Sequence, residues 1–395
     1  MPEPPDTAHR AAGSRSARER SARVRRDRQL QWTVVGVALV VGLVAGSLGT
    51  SRDHSARALG PQATTTTVAK PASVPAQTFL LAHVGSNRRI DVLAVAGVRA
   101  GGRVGSIVFV PTATLVQVPS FDSQPVSDIA HLGGSSLLGT AVANALGLRF
   151  DRVVVFRDDA LTDLLAPAHR LTVDFGRTVE VDDAAGTLAY TAGRASISAA
   201  DATRLVIGPA SGGSLEHLVT VQAVLEGWFA RLRDASVAKA TAKASILTRP
   251  FVTLAHAHLG FDTMPVTTLS SGSTTRYDLK QPDADHLVRS DFPDGLLSAK
   301  PRPRVEILNG TGAVSLTQAV ARKVVPAGGE ITLTGNVPGF GVKHTSIVYY
   351  REEDLPEARR IAAALGVGSV ALGNVALDVI DITVVVGADF EHKKH

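Results

Sequence analysis

The 395-residue chain contains no cysteine, only two methionines, two tryptophans and four tyrosines, and aromatic residues make up 5% of it. The absence of cysteine excludes disulfide bonds, zinc–thiolate and iron–sulfur centres, and a thiol nucleophile. A chain without disulfides must be held together by packed apolar cores, and a hydrophobic content of 45% can supply them. The P-loop phosphate-binding motif, the HExxH zinc motif and the GxSxG serine-nucleophile motif are absent as well.

Positive charge is concentrated at the N-terminus. The formal net charge is +5, and residues 1–28 hold eight arginines against four acidic side chains, which is +4. The remaining 367 residues therefore carry about +1 between them. A nucleic-acid-binding domain needs a concentrated basic surface, so we do not expect this protein to bind nucleic acid.

An apolar run at residues 32–48 follows the arginine-rich head. A helix of about 17–25 apolar residues spans a bilayer, and the flank that is richer in arginine stays in the cytoplasm. We therefore predict a single transmembrane helix at 32–50, with residues 1–28 cytoplasmic and the bulk of the chain outside the cell membrane. The alternative is a cleaved signal peptide ending at Ala45-Gly46-Ser47, but its apolar region would usually be only about 7–15 residues long.

Composition divides the rest of the chain into three parts. Residues 51–77 are rich in threonine and proline, which predicts a disordered stalk. Between 78 and 294, β-rich runs alternate with amphipathic helical patterns, which predicts a layered α/β domain. After a hinge that contains Pro301 and Pro303, residues 304–390 follow the order β-α-β-β-α-β, which predicts a small α+β domain with a ferredoxin-like outline.

Both of these domains carry a family resemblance. The stretch VEILNGTGAVSLTQAVARKVV and the ending ITVVVGADF closely resemble the LytR C-terminal domain over residues 304–390. The part at 78–294 is similar to the LytR–CpsA–Psr domain in a degenerate form, through Gly85-Ser86-Asn87, Arg89-Ile90-Asp91 and Tyr277-Asp278-Leu279. The resemblance implies a membrane-anchored protein with its main domain outside, in a family that transfers glycopolymer phosphate from polyprenyl pyrophosphate onto peptidoglycan.

Several charged residues of that family's site are missing. The family's Gly-Ser-Asp is Gly85-Ser86-Asn87 in this chain, and its Pro-Arg-Asp is Pro111-Thr112-Ala113. Of its later cluster of arginine and glutamine, Arg204 and Gln222 are the remaining candidates. Phosphoryl transfer depends on a divalent cation held by carboxylates and on arginines at the phosphates. Losing several of these groups together predicts a domain without catalytic activity.

Four residues remain as candidates for the site. Asn87, Arg89 and Arg204 are predicted to bind substrate, and Asp91 is predicted to bind a metal, which would be Mg²⁺ if the protein is an active enzyme. No catalytic residue is assigned. If the site is retained, these side chains should converge at one pocket mouth. The alternative is that Arg89 and Asp91 form an ordinary surface salt bridge, worth about 0–1 kcal/mol.

A second candidate for metal binding is the pair formed by His256 and His258. These two histidines would face the same way if both lay on one strand, where residues i and i+2 share a face. A third ligand is missing from the neighbouring sequence, so a structural or surface role is the simpler explanation.

We expect a non-catalytic cell-envelope protein that binds cell-wall glycan, a polyprenyl-linked precursor or a partner enzyme. The alternative is an active phosphotransferase that attaches glycopolymers to peptidoglycan and uses Arg89 and Asp91 with Arg88, Arg103 or Arg204. A third alternative, a transcriptional regulator, follows from the older naming of such proteins. It conflicts with the predicted topology and with the nearly neutral outer part of the chain.

Overall fold

The computed structural model describes residues 74–208, 214–244, 248–271, 274–374 and 378–392. The predicted cytoplasmic head, the transmembrane helix predicted at 32–50 and residues 51–73 of the predicted stalk lie outside the described residues. Among the residues that are described, none of the helices is both long enough and apolar enough to cross a membrane.

The part of the chain before residue 300 contains short strands interspersed with helices. Its strands are β1 (Gln77–Val84), β2 (Ile90–Val98), β3 (Val104–Phe109), β4 (Leu115–Val118), β5 (Asp122–Pro125), β6 (Arg152–Phe156), β7 (Arg170–Phe175), β8 (Val179–Asp183), β9 (Gly186–Tyr190), β10 (Gly193–Ser198), β11 (His258–Thr263), β12 (Val266–Ser271) and β13 (Thr274–Leu279). Its helices are α1 (Ile129–Leu146), α2 (Asp158–Leu165), α3 (Ala199–Ile207), α4 (Ser214–Leu232), α5 (Ala235–Ala244), α6 (Arg249–Ala255) and α7 (Gln281–Asp291).

A mixed five-stranded sheet with the order β11-β3-β2-β1-β6 forms the centre of this part. The strand β2 runs antiparallel to β1 and β3, whereas β6 is parallel to β1 and β11 is parallel to β3. One edge of the sheet therefore contains the carboxyl ends of four strands, β1, β3, β6 and β11. We call it the carboxyl edge. Loops at the carboxyl ends of such strands are common places for ligand sites.

Both faces of the central sheet are covered by apolar layers, because its strands are apolar on both sides. Along β1, Phe79 joins one buried cluster, whereas Leu80 and Ala82 join the other. The first cluster packs against α2, α3, α4, α5 and α6, and the second cluster packs against α1 and α7. Nearly continuous apolar strands are typical of sheets buried on both faces, and the predicted mixed α/β architecture is thus observed.

Two helices of this part form for reasons that their sequences indicate. The helix α4 carries a stripe that includes Leu218, Val221 and Phe229, and these side chains are buried in the first cluster. The helix α1 is interrupted at a pair of glycines, the second of which, Gly134, has a φ of 69°. Its regular section follows this pair and ends at Gly147, whose left-handed φ of 65° is typical of a helix C-terminus.

The C-terminal part forms a second five-stranded sheet with the order β15-β14-β18-β16-β17. Its elements are β14 (Arg304–Asn309), α8 (Leu316–Val324), β15 (Glu330–Asn336), β16 (Ser346–Tyr349), α9 (Leu355–Leu365), β17 (Ser369–Leu372), β18 (Ile382–Val386) and α10 (Ala388–His392). The strand β14 is parallel to both β15 and β18, and β16 is parallel to β17 but antiparallel to β18.

The predicted α+β arrangement with a ferredoxin-like outline was wrong for this domain. Helices α8 and α9 each join two neighbouring strands, and a helical crossover of this kind leaves the joined strands parallel, so the domain is of α/β type. The sequence pattern also missed β17, because a four-residue edge strand that is largely exposed has no apolar alternation to detect.

A buried asparagine joins the two parts of the protein. Asn144 of α1 is 3% exposed, and its carboxamide pairs with the backbone of Ile331 on β15. Its Nδ2 donates to the Ile331 carbonyl over 2.8 Å, and its Oδ1 accepts from the Ile331 N–H over 2.7 Å. Arg302 donates from Nη2 to the Asn144 carbonyl over 2.6 Å and lies 3.5 Å from Glu330. Asn144 therefore occupies the open side of β15 at this point, as a further strand would.

We predict that Asn144→Ala destabilises the protein by about 1–3 kcal/mol, because it leaves the buried N–H and C=O groups of Ile331 without partners. Urea unfolding followed by far-UV circular dichroism measures the change. The matched control is Asn336→Ala, since Asn336 is an exposed asparagine at the end of the same strand. Equal effects of the two substitutions would contradict the role of Asn144.

Candidate functional site

The turn between β1 and β2 lies at the carboxyl edge and holds the first predicted residue. The N–H of Gly85 donates to the Arg89 carbonyl over 3.0 Å, and the N–H of Arg88 donates to the Gly85 carbonyl over 2.9 Å. Asn87 stabilises this turn, because its Oδ1 accepts from the Arg89 N–H over 2.8 Å. The carboxamide oxygen that could have replaced the family's carboxylate is thus already hydrogen-bonded within the turn.

A β-bulge directs the side chain of Asp91. In the pairing of β1 with β2, His83 is opposite Val92 and Val84 is opposite Ile90, so Asp91 is an extra residue on β2. A bulge bends the strand and changes the direction of the extra side chain. Its Oδ2 lies 3.5 Å from His83 Nδ1. The bulge thus brings Asp91 and His83 together at the carboxyl edge.

His83 is a member of the site that the sequence analysis missed. Its side chain is buried, and its Nε2 lies 3.0 Å from Oδ1 of Asp158, the first residue of α2. Neither ring nitrogen has a hydrogen-bond partner among the described residues. The signal that could have revealed it is a single histidine in the apolar strand FLLAHV, directly before the glycine of the turn.

Arg89 is held by an acidic group and a hydroxyl group. Its Nη2 lies 2.7 Å from Asp128 Oδ1 and donates to Ser127 Oγ over 3.1 Å. Both partners lie just before α1. The salt bridge between Arg89 and Asp91 that we considered as an alternative is therefore not the pairing observed, since Arg89 pairs with Asp128.

Arg204 of α3 is engaged in a different part of the molecule. Its guanidinium binds Asp183 in a bidentate manner, with distances of 2.7 Å from Nε to Oδ2 and 2.8 Å from Nη2 to Oδ1. It also donates to the carbonyl of Gly186 in the β8–β9 hairpin. The hydrogen bond from Arg204 to Asp183 lowers the pKa of Asp183 and raises the pKa of Arg204.

A tyrosine in the same hairpin strengthens the attachment to α3. Tyr190 donates its hydroxyl to Asp201 Oδ2 over 3.0 Å. Burial, together with this hydrogen bond and the charge of Asp201, raises the pKa of Tyr190 to about 12. Among the described residues, the contacts of Arg204 lie in this hairpin and its surroundings and include no residue of the β1–β2 turn. Asn87, Arg89 and Asp91 thus come together in one turn, and Arg204 does not join them.

The first turns of α4 bring one more titratable group, His217, close enough to Asp91 for their charges to interact. His217 is half-buried, and its Nε2 donates to the Val206 carbonyl over 2.9 Å. Burial lowers the pKa of His217, although this hydrogen bond and the charge of Asp91 oppose the shift. Farther along the same helix, Gln222 donates to Glu226 and lines a groove of about 360 Å³ beside β11.

The donors for the magnesium site that the resemblance implies do not fit that role. Among the described residues, no group of three or more His, Asp or Glu could hold a metal ion by itself. Asn87 Oδ1 accepts a hydrogen bond from the Arg89 N–H, and it is a neutral amide oxygen where the family has a carboxylate. The turn therefore offers the carboxylate of Asp91, whereas the family resemblance implies a second carboxylate at position 87.

Two further candidates lie away from the turn. Arg103 precedes β3 and accepts a hydrogen bond from the backbone of His258, so both residues are at the edge of the sheet opposite to the carboxyl edge. His256 follows the last residue of α6, whereas His258 begins β11. The two histidines are thus not on one strand, and the condition for the predicted metal pair is not met.

Comparisons with known proteins agree with part of this picture. Residues 302–390 match the family model described as LytR cell envelope-related transcriptional attenuator. This match confirms the resemblance that the motifs of the C-terminal domain indicated. No curated protein is significantly similar to the chain in sequence.

Solved structures of the LytR–CpsA–Psr family are also similar to this chain, at low sequence identity. B. subtilis TagV is 12% identical, with 55% of this chain and 98% of that chain covered and a TM-score of 0.48. B. subtilis TagU is 13% identical, with coverages of 58% and 100% and a TM-score of 0.44. TagT, a LytR-CPS2A-psr family protein with bound octaprenyl pyrophosphate lipid, is 15% identical, with coverages of 55% and 91% and a TM-score of 0.44.

The position of Asp91 depends on the absence of a side chain at Gly85. A Cβ added to Gly85 would lie 2.5 Å from Asp91 Oδ2. We predict that Gly85→Ala displaces the carboxylate and lowers stability by less than about 1 kcal/mol, because the atom that the new methyl group meets is the end of a partly exposed side chain. Thermal unfolding measures this, with Gly176→Ala as the control, because a Cβ at Gly176 would meet no atom within 4 Å.

A double-variant cycle tests the cause of that destabilisation. Asp91→Ala removes the carboxylate that the new methyl group would strike, so Gly85→Ala should cost less in the Asp91→Ala background than in the natural sequence. Equal costs in both backgrounds would show that Gly85 is required for another reason.

Proposed function

We propose that this protein is a cell-envelope protein that binds a cell-wall glycan component without transferring it. The observation that carries the proposal is the pairing of its retained arginines. Arg89 is paired with Asp128 and Arg204 is paired with Asp183, so each of these two guanidinium groups is already matched by a carboxylate. Since the sequence also has Pro111-Thr112-Ala113 in place of the family's Pro-Arg-Asp, the cationic groups of a phosphotransferase are not assembled.

The expected loss in the rate of phosphoryl transfer is large, which supports a binding function over catalysis. Removing one donor that stabilises developing charge costs about 10²–10³ in rate, and groups that act as a unit lose activity together rather than independently. The exposed Arg88 is the exception, because its side chain makes no ion pair with any described residue and it lies beside Asn87. Arg88 is therefore the residue that keeps an active phosphotransferase as the second candidate.

The ligand class follows from the family resemblance. The matched C-terminal family is described as cell envelope-related, and the LytR–CpsA–Psr resemblance in the sequence implies a polyprenyl-linked glycan. A polyprenyl-linked precursor is therefore the first ligand to test, and octaprenyl pyrophosphate, the lipid bound in one TagT structure, is a suitable probe. Peptidoglycan and a cell-wall enzyme are the other partners included in the proposal.

Localisation is part of the same proposal. Residues 1–28 would remain in the cytoplasm, residues 32–50 would cross the membrane once, and the two folded domains would lie outside. The binding surfaces would then lie beside the lipid sheet in which a polyprenyl chain is anchored.

The localisation proposal predicts that alkaline phosphatase fused to the C-terminus is active, because this reporter folds only outside the cytoplasm. Deleting residues 32–50 should abolish the activity and release the fusion into the soluble cytoplasmic fraction. A fusion with the intact N-terminus that is inactive, or that is released from the membrane by cleavage, would contradict the anchor.

The binding proposal predicts that the full-length protein in detergent is retained on isolated cell wall or on vesicles that contain polyprenyl pyrophosphate. It also predicts no release of phosphate from polyprenyl pyrophosphate with Mg²⁺ present. Omitting residues 304–390 shows which domain carries the retention.

Two outcomes would contradict the binding proposal. Turnover that disappears in Asp91→Ala would establish the active phosphotransferase instead. Absence of retention for both the full-length and the shortened protein would remove the basis for a binding function.

A further inference from the structure

His83 is a buried histidine that faces two carboxylates without forming a hydrogen bond. It is 4% exposed, and both ring nitrogens lack hydrogen-bond partners among the described residues. Asp158 Oδ1 nevertheless lies 3.0 Å from Nε2, and Asp91 Oδ2 lies 3.5 Å from Nδ1. Most buried polar atoms are hydrogen-bonded, so these contacts need another explanation.

The spacing of Nε2 and the Asp158 oxygen is that of two ligands of one metal ion. Bonds from zinc to nitrogen and oxygen are about 2.0–2.2 Å long, and two such bonds at tetrahedral or octahedral angles place the donor atoms roughly 3.0–3.5 Å apart. The observed separation is 3.0 Å. A nitrogen lone pair directed at an ion, rather than a proton directed at the oxygen, also accounts for the lack of hydrogen-bond geometry.

We propose that His83 Nε2 and Asp158 bind a divalent transition-metal ion of the Zn²⁺ or Mn²⁺ type. An imidazole nitrogen beside a carboxylate favours these ions over Mg²⁺, which prefers oxygen ligands. Asp91 is a positioning residue in this arrangement, because its carboxylate lies 3.5 Å from Nδ1, beside the ring nitrogen that does not bind the metal, as in carboxylate–histidine–metal triads. Asp91 thus acts on the metal through His83 and not as a direct ligand.

The two ligands are held by regular elements, and the rest of the coordination sphere is open. His83 is on β1 and Asp158 is the first residue of α2, so packing of the strand and the helix sets their separation. The Asp158 side chain is 48% exposed, which leaves room for water or for an anionic ligand on the solvent side. With two protein ligands the site binds more weakly than a closed four-ligand site. It does not depend on the proposed binding of an envelope glycan.

Metal titration of the full-length protein in detergent tests the site. After treatment with a chelator, Zn²⁺ is added in a calorimeter, and Co²⁺ is added in parallel while its visible absorption is recorded. We expect one ion per chain, with an affinity that falls at least about tenfold in His83→Leu and in Asp158→Asn. Asp159→Asn is the matched control, because it removes the same charge from the exposed neighbouring residue and should leave the affinity unchanged.

The role of Asp91 has its own readout. Loss of a carboxylate that orients a metal-bound histidine typically weakens the affinity by about 10–100-fold. Asp91→Asn should therefore lower the affinity while one Co²⁺ ion still binds with the same absorption spectrum, because the ligands themselves are unchanged. A changed spectrum would make Asp91 a direct ligand and overturn the assignment.

Two results would overturn the proposal as a whole. One is the absence of a stoichiometric ion on the unaltered protein, in which case the 3.0 Å contact between His83 and Asp158 is not a pair of metal ligands. The other is equal affinity of Asp158→Asn and Asp159→Asn. If His83→Leu fails to fold, the comparison of these two surface variants decides the matter alone.

Discussion

The antiparallel pairing of β1 with β2 is the interaction on which the rest of the structure depends. These two strands lie at the centre of the five-stranded sheet, and their side chains supply both apolar clusters of the N-terminal part. Burial on both faces fixes the register, because a shift by one residue would move each side chain to the opposite face. The same pairing contains the bulge that sets the direction of Asp91 and the turn that holds Asn87 and Arg89.

The side chains of Arg89 and Arg204 form ion pairs between neighbouring elements and do not converge on one anion-binding site. Arg89 joins the β1–β2 turn to the segment before α1, and Arg204 joins α3 to the β8–β9 hairpin. In a phosphotransferase, several such groups would point towards one phosphate. Here each guanidinium is already matched by a carboxylate, so a ligand phosphate would have to replace an existing ion pair. This internal matching is the physical reason for proposing a binding protein.

The C-terminal domain is attached through the edge of its own sheet. An edge strand presents unpaired N–H and C=O groups, and such groups invite pairing with another chain. Asn144 satisfies both backbone groups of Ile331 on the edge strand β15, and Arg302 reinforces the contact from the connecting segment. The two domains thus share a buried polar contact. The C-terminal domain is therefore attached to α1 of the first domain by hydrogen bonds as well as by the connecting segment.

Local patterns in the sequence determined the elements, because apolar runs, glycines and prolines act over a few residues. Such local patterns account for the strand Arg152–Phe156, the apolar stripe on α4 and the end of α1 at Gly147. Asn87, Arg89 and Asp91 were also identified as candidates from sequence, since they are neighbours in the chain. Only the tertiary structure decided which residues meet across the sheet, including His83 with Asp158, Arg89 with Asp128 and Arg204 with Asp183. These contacts follow from strand order and from crossing helices, which bring together residues that have no local signal for one another.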